Sequence, residues 1–218
     1  IQLKTFDNAP VYYTLDGSEP SATSQQYTQP FTLDKTTTIK AKAIRNGRES
    51  DVTAETLTYN LATMHPITLK CEPDEKFTYK GANLLVDGMQ GDDNYRSGRY
   101  IGIYGQDFDA TIDLQEPKEI SSVSVGTYLV PGDYIFGLTG LEVYGSEDGK
   151  AYTKIASKAI PTLEKGSKNN VLKRDTLSFD KTKARYVHII GKNTPVLPKW
   201  HPGAGSQTYL FLDEIAIN

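Results

Sequence analysis

Hydrophobic residues recur at every second position over much of the chain. Val11, Tyr13 and Leu15 alternate with Tyr12 and Thr14, and Ile39, Ala41 and Ala43 alternate with Thr38, Lys40 and Lys42. The spacing returns in Ala110, Ile112 and Leu114, and again in Leu141 and Val143. A period of two sends successive side chains to opposite faces, so each run predicts a strand with one face on a core and one in water. Asp16-Gly17, Asn46-Gly47, Asp87-Gly88 and Asp148-Gly149 punctuate these runs with residues that accept the positive φ of tight turns. No amphipathic pattern outlasts two helical turns. The predicted class is all-β.

The alternation lapses between Asn60 and Pro66. Residues 1–61 hold short strand candidates in the pattern of a small immunoglobulin-like sandwich. Residues 67–218 carry strands separated by long Gly/Pro-rich loops, the pattern of a larger β-sandwich or jelly roll. Composition agrees with folded domains, since 38% hydrophobic residues suffice to fill a core. The 24 Lys+Arg and 27 Asp+Glu are interspersed, and with no basic block nucleic acid is not an expected partner. No apolar stretch is long enough for a membrane span. The single Cys71 excludes an internal disulfide and a cysteine-based zinc cluster, and is expected in the core. The chain starts at Ile1 with no signal peptide, and reads as a piece of a longer polypeptide.

Three groups of residues carry candidate chemistry. Asp87 opens an Asp-Gly turn followed by Asp92, Asp93 and Asn94, and Glu214 begins the last strand. A Gly-rich acidic loop can wrap a hard cation or simply be a solvated turn, and spacing leaves both open. Trp200 and His201 stand in a Gly/Pro-rich stretch, either as a sugar platform or as a plug at one end of the sandwich. Arg96, Arg99, Tyr100, Tyr104, Asp107, Tyr128, Tyr134 and Phe136 cluster in two loop regions, where rings and planar polar groups suit either recognition or packing. The three histidines are too dispersed for a metal triad, and His188, inside a strand, is expected to be hydrogen bonded.

Residues 11–50, above all YTLDGSEP, resemble the small fibronectin-like domain that follows the catalytic barrel in bacterial chitobiases and β-hexosaminidases. LVDGMQGDDNYRSGRYIGIYGQDFDATIDL (85–114), residues 123–156, ARYVHII (184–190) and the tail from Trp200 resemble coagulation factor 5/8 type C (discoidin-like) domains, the fold of family 32 carbohydrate-binding modules. The order of the two and the tail resemble the C-terminal region of Bacteroidetes glycoside hydrolase family 20 enzymes. The resemblance implies a small immunoglobulin/fibronectin-like sandwich followed by a discoidin-like sandwich. It also implies a structural calcium (Ca2+) held by Asp87, Asp92 and Glu214, with a carbonyl near Leu84. Ligand is expected at the loop end, which makes Arg96, Tyr100, Tyr104, Tyr134, Phe136, Trp200 and His201 the carbohydrate-binding candidates.

Catalysis is not expected of this chain. The Asp-Glu pair of family 20 enzymes lies at the end of a barrel strand, whereas Asp213-Glu214 and Glu147-Asp148 fall in a terminal strand and a hairpin turn. A barrel needs about 250 residues and eight helices of its own. The expectation is a non-catalytic region of an exported bacterial β-N-acetylhexosaminidase, periplasmic, outer-membrane-associated or secreted. Its discoidin-like module would bind glycans ending in N-acetylhexosamine or galactose and keep the upstream catalytic domain near substrate. The alternative is a pair of structural modules that stabilise or dimerise the parent hydrolase without touching sugar. A different secreted hydrolase as parent is the third reading.

Overall fold

The alternating runs are strands in the computed structural model, which describes residues 1–194 and 196–218. Its all-β class is the expected one. The chain separates into two units, Ile1–Tyr59 and Asn60–Asn218. In the first, β1 (Val11–Thr14), β2 (Gln25–Gln26), β3 (Thr37–Arg45), β4 (Arg48–Glu49) and β5 (Thr53–Leu57) pair antiparallel in the order β2-β1-β3-β4, with β5 also on β3. Val11, Tyr13 and Ile39 are its buried apolar residues, and Tyr13 stacks on Phe31 with ring centroids 4.9 Å apart. Leu15 leaves the alternation and is exposed. The chain is already turning there, with Ser18 N–H donating to Asp16 Oδ1 at 3.0 Å and Gly17 at φ 83°.

The second unit contains β6 (Ile67–Leu69), β7 (Ile101–Tyr104), β8 (Phe108–Leu129), β9 (Gly140–Ser146), β10 (Thr153–Ala159), β11 (Val171–Lys192) and β12 (Tyr209–Ile217). Helix among the described residues is limited to three short 3-10 turns at Glu75–Phe77, Ala82–Val86 and Pro131–Asp133. Two strands are far longer than their periodicity indicates. β8 and β11 each run 22 residues, through the polar stretch Gln115-Glu116-Pro117-Lys118 in one case. Gln115 takes φ 68°, and the β8–β11 register shifts between Ser178 and Thr182 and between Ala184 and Tyr186. Such bulges bend a strand without ending it.

Each long strand therefore serves two layers. One layer has the order β10-β9-β11-β8 with β6 outermost, and the other β11-β8-β12-β7. Ala110, Ile112, Val143 and Ile189 of the first layer share one core with Val123, Val125, Leu212 and Ile215 of the second. Cys71 is buried there, its thiol pushed up by burial. His188 Nε2 donates to Asp109 Oδ1 at 2.8 Å, as a strand histidine with a partner.

Asn60 anchors the start of this unit to its end. Its Oδ1 accepts from Ala62 N–H at 2.8 Å and Ile217 N–H at 3.1 Å, and Leu61 N–H donates to the Ile217 carbonyl at 2.9 Å.

Candidate functional site

The ladder between β12 and β8 slips by one residue. Leu212 faces Thr127 and Ile215 faces Val125, so Asp213 and Glu214 share the single position opposite Gly126. The bulge aims two consecutive carboxylates at the loop that covers this layer. Both Glu214 carboxylate oxygens accept from Gly88 N–H at 3.2 Å, and Asp213 Oδ2 accepts from Gly91 N–H at 2.9 Å. Arg174 Nη2 donates to Asp213 Oδ2 at 3.2 Å and its Nη1 to the Glu214 carbonyl at 3.1 Å. Two tyrosines hold the next stretch of the loop, Tyr100 Oη donating to the Asp92 carbonyl and Tyr128 Oη to that of Asp93 at 2.6 Å. The loop is thus pinned from Gly88 to Asp93.

Glu214 is buried, and burial, aided by the neighbouring Asp87 carboxylate, pushes its acid up to about 9. A desolvated carboxyl beside a second one is a place where a hard cation is favoured, because it neutralises both. Asp87 and Glu214 fit that chemistry. Asp92 does not join them. Its Oδ1 accepts from Asn94 N–H at 3.0 Å and its Oδ2 lies 3.7 Å from Arg99 Nε, so it stabilises its own turn. Among the described residues, no three His, Cys, Asp or Glu side chains converge as a metal cage. A cation at Asp87 and Glu214 would have to take its other oxygens from the backbone and water.

Beyond the pinned stretch the same loop carries Tyr95 and Arg96 to the wall of a cleft of about 560 Å³. Phe77, Tyr209 and Phe211 form its aromatic floor, with Phe77 and Tyr95 edge-on to Phe211 at 4.8 and 5.0 Å. Tyr95 Oη donates to Asp133 Oδ2 at 3.0 Å, and the Arg96 guanidinium lies 4.9 Å over the Tyr95 ring. Lys76 and Asp133 add exposed charges of opposite sign. Tyr209 Oη donates to Asp74 Oδ2 at 2.7 Å, and burial with that bond pushes the phenol up to about 12.

Tyr134 also lines the cleft, 38% exposed, in the left-handed conformation at φ 67°. A side chain there costs roughly 1–2 kcal/mol. Its surroundings impose the conformation. Tyr134 N–H donates to the Pro131 carbonyl at 3.1 Å, and its ring lies over Gly203, where a Cβ would come within 2.6 Å of Oη. His201 supports the ring edge-on at 5.1 Å, with Nε2 donating to the Pro131 carbonyl at 2.9 Å and Nδ1 accepting from Gly203 N–H at 3.0 Å.

Of the expected sugar contacts, Arg96 and Tyr134 line the cleft, and Tyr104 is exposed beside Tyr209. Three are corrected. Tyr100 is 0% exposed, with its ring over Gly91, where a Cβ would meet it at 2.2 Å. Phe136 and His201 are also buried, so none of the three offers a face to a ligand. Trp200 is half-buried and packs on Phe136 at 6.1 Å and His201 at 5.9 Å. Sequence reasoning missed Lys76, Phe77, Tyr95, Asp133 and Tyr209. The usable signal was adjacency, since Tyr95 precedes Arg96 and Asp133 precedes Tyr134.

A family model described as F5/8 type C domain matches residues 70–210, and another described as Fn3 associated matches residues 1–57. Among solved structures, the chain is similar to CpGH89CBM32-5 from Clostridium perfringens in complex with GalNAc-beta-1,3-galactose, at 20% identity and TM-score 0.45 over 70% of this chain and 93% of that one. It is also similar to chitosan-binding module 1 of a Paenibacillus sp. IK-5 chitosanase/glucanase (16% identity, TM-score 0.47, 73% and 98% covered). A Streptococcus pneumoniae fucose binding module is a third, at 18% identity and TM-score 0.46, with 73% and 94% covered. No curated protein sequence matches significantly. The match over residues 70–210 spans well over half of the chain, which therefore belongs to the F5/8 type C domain family.

Proposed function

We propose that the second unit is a non-catalytic carbohydrate-binding module that keeps a parent hydrolase, a β-N-acetylhexosaminidase, close to glycans ending in N-acetylhexosamine or galactose. The observation that carries this reading is the cleft between Tyr134 and Arg96. It pairs an exposed ring, kept in a strained backbone conformation, with a guanidinium, a carboxylate and a phenol within one concave surface. Sugar C–H faces stack on rings while hydroxyls bond to planar polar groups, and this cleft supplies both.

Calcium at Asp87 and Glu214 completes the proposal. When bound it supplies charge neutralisation, while Asp213, Arg174 and the tyrosine hydroxyls fix the loop that delivers Tyr95 and Arg96. The module belongs to an exported protein on this reading, and no helix among the described residues is long and apolar enough to cross a membrane. Isothermal titration of the chain with galactose, N-acetylgalactosamine and N-acetylglucosamine, followed by a glycan array, is the test. Saturable binding supports the proposal. Absence of binding to every glycan at millimolar concentration, with calcium present, overturns it.

A further inference from the structure

The aromatic floor of the cleft does not stop at Tyr209. Tyr104, the last residue of β7, sits directly opposite Tyr209 in the β7–β12 ladder, with ring centroids 4.6 Å apart at 41°. Tyr209 is fixed by its bond to Asp74, so Tyr104 rests on an immobile neighbour. Yet Tyr104 is 42% exposed, and much of its ring faces water. The residue after it, Gly105, takes φ 64°, and a Cβ there would lie 2.5–2.8 Å from the Gln207 carboxamide. The backbone is bare at that point, and the exposed Gln207 amide lies against it, at the residue that follows Tyr104.

A cross-strand tyrosine pair alone is accounted for by packing. An exposed planar amide lying over the bare backbone of the next residue is not. Gln207 can donate and accept at once, which matches a sugar hydroxyl, while the Tyr104 ring suits the C–H face of the same unit.

We propose that Tyr104 and Gln207 form a second sugar station, continuous with the cleft through Tyr209. The ligand is then an oligosaccharide chain laid along the face and not a single terminal sugar. This rests on the carbohydrate reading above, and adds chain length as a determinant of affinity. A rigid second station raises affinity because its contacts cost little further ordering.

The probes are N-acetylglucosamine, galactose and their β-1,4-linked tetrasaccharides, titrated calorimetrically into the full chain. A tetrasaccharide is expected to bind about tenfold more tightly than its own monosaccharide. Tyr104→Ala and Gln207→Ala should each remove most of that gain, and Gln207→Ala should leave monosaccharide affinity unchanged. Gln207 is exposed, so its variant keeps the fold if Tyr104→Ala does not. Equal affinity for short and long ligands overturns the second station, as does either variant that leaves the gain intact or a Gln207→Ala variant that weakens both ligands alike. If none of the four sugars and no glycan of the array binds, the carbohydrate reading itself falls and takes this inference with it.

Discussion

Arg174 and Asp213 pair at 3.2 Å across the full width of β8, directly over Gly126. A Cβ at Gly126 would lie 1.8 Å from Asp213 Oδ1 and 2.7 Å from Arg174 Nη2, so the pair exists because this strand has no side chain there. Asp213 is almost wholly buried and also receives Gly91 N–H. Gly126→Ala is therefore expected to destabilise the second unit by roughly 3 kcal/mol, through overpacking and the stranding of a buried carboxylate. Denaturant unfolding measures this, and a loss below about 1 kcal/mol would mean that the pair relocates freely.

Chelation should lower the melting temperature of the second unit if a cation sits at Asp87 and Glu214. A cation at about a hundred times its Kd contributes roughly 2.7 kcal/mol. Glu214→Gln should abolish the dependence while keeping the shape of the buried group. Asp92→Asn should preserve it, because Asp92 is occupied with Asn94 and Arg99. A melting curve indifferent to chelator in the parent chain would refute the cation.

Backbone strain and ring contact at Tyr134 can be separated. Tyr134→Gly suits φ 67° better than tyrosine does, which offsets the lost packing on His201 and Gly203. Unfolding free energy should change by less than about 1 kcal/mol. Sugar affinity should fall at least about tenfold. Unchanged affinity in calorimetry would remove Tyr134 from the binding surface.

Acid sensitivity should report on Arg185. Its Nε and Nη2 donate to the two Asp113 oxygens at 2.8 and 2.9 Å, and this holds the Asp113 carboxyl below its ordinary value. A depressed carboxylate stabilises the fold above its unfolded value near 4 and loses that contribution as pH falls through the folded value. Arg185→Met should flatten the decline in stability below about pH 4 and leave its slope near neutrality unchanged. Parallel stability curves for variant and parent across the acid range would disprove the linkage.

Strand content was legible wherever one face meets the core, as in Ala110, Ile112 and Leu114. It was illegible in residues 126–129, which are all buried and carry no alternation. The length of β8 was hidden for a related reason, since a bulge at Gln115 reads like a turn. At the site, the acidic turn was visible because Asp87 precedes a glycine, whereas Glu214 was reached through the family resemblance. The role of Asp92 was not, because only coordinates distinguish a residue that caps its own turn. Tyr100 and Tyr134 look alike in sequence, and differ because one lies beneath Gly91 and the other over Gly203.

The hydrogen bond from Leu61 to Ile217 has a consequence for how this unit travels between proteins. Entry and exit of the sandwich are adjacent segments of one knot of bonds around Asn60. A unit with its ends side by side can be spliced into a surface loop of an unrelated host without prying that loop open. Joining residue 218 to residue 60 by a short linker, and reopening the chain at the exposed Gly166 turn, should then yield a permuted protein with the same core. The module is in effect a cassette, portable because its seam is closed before any linker is added.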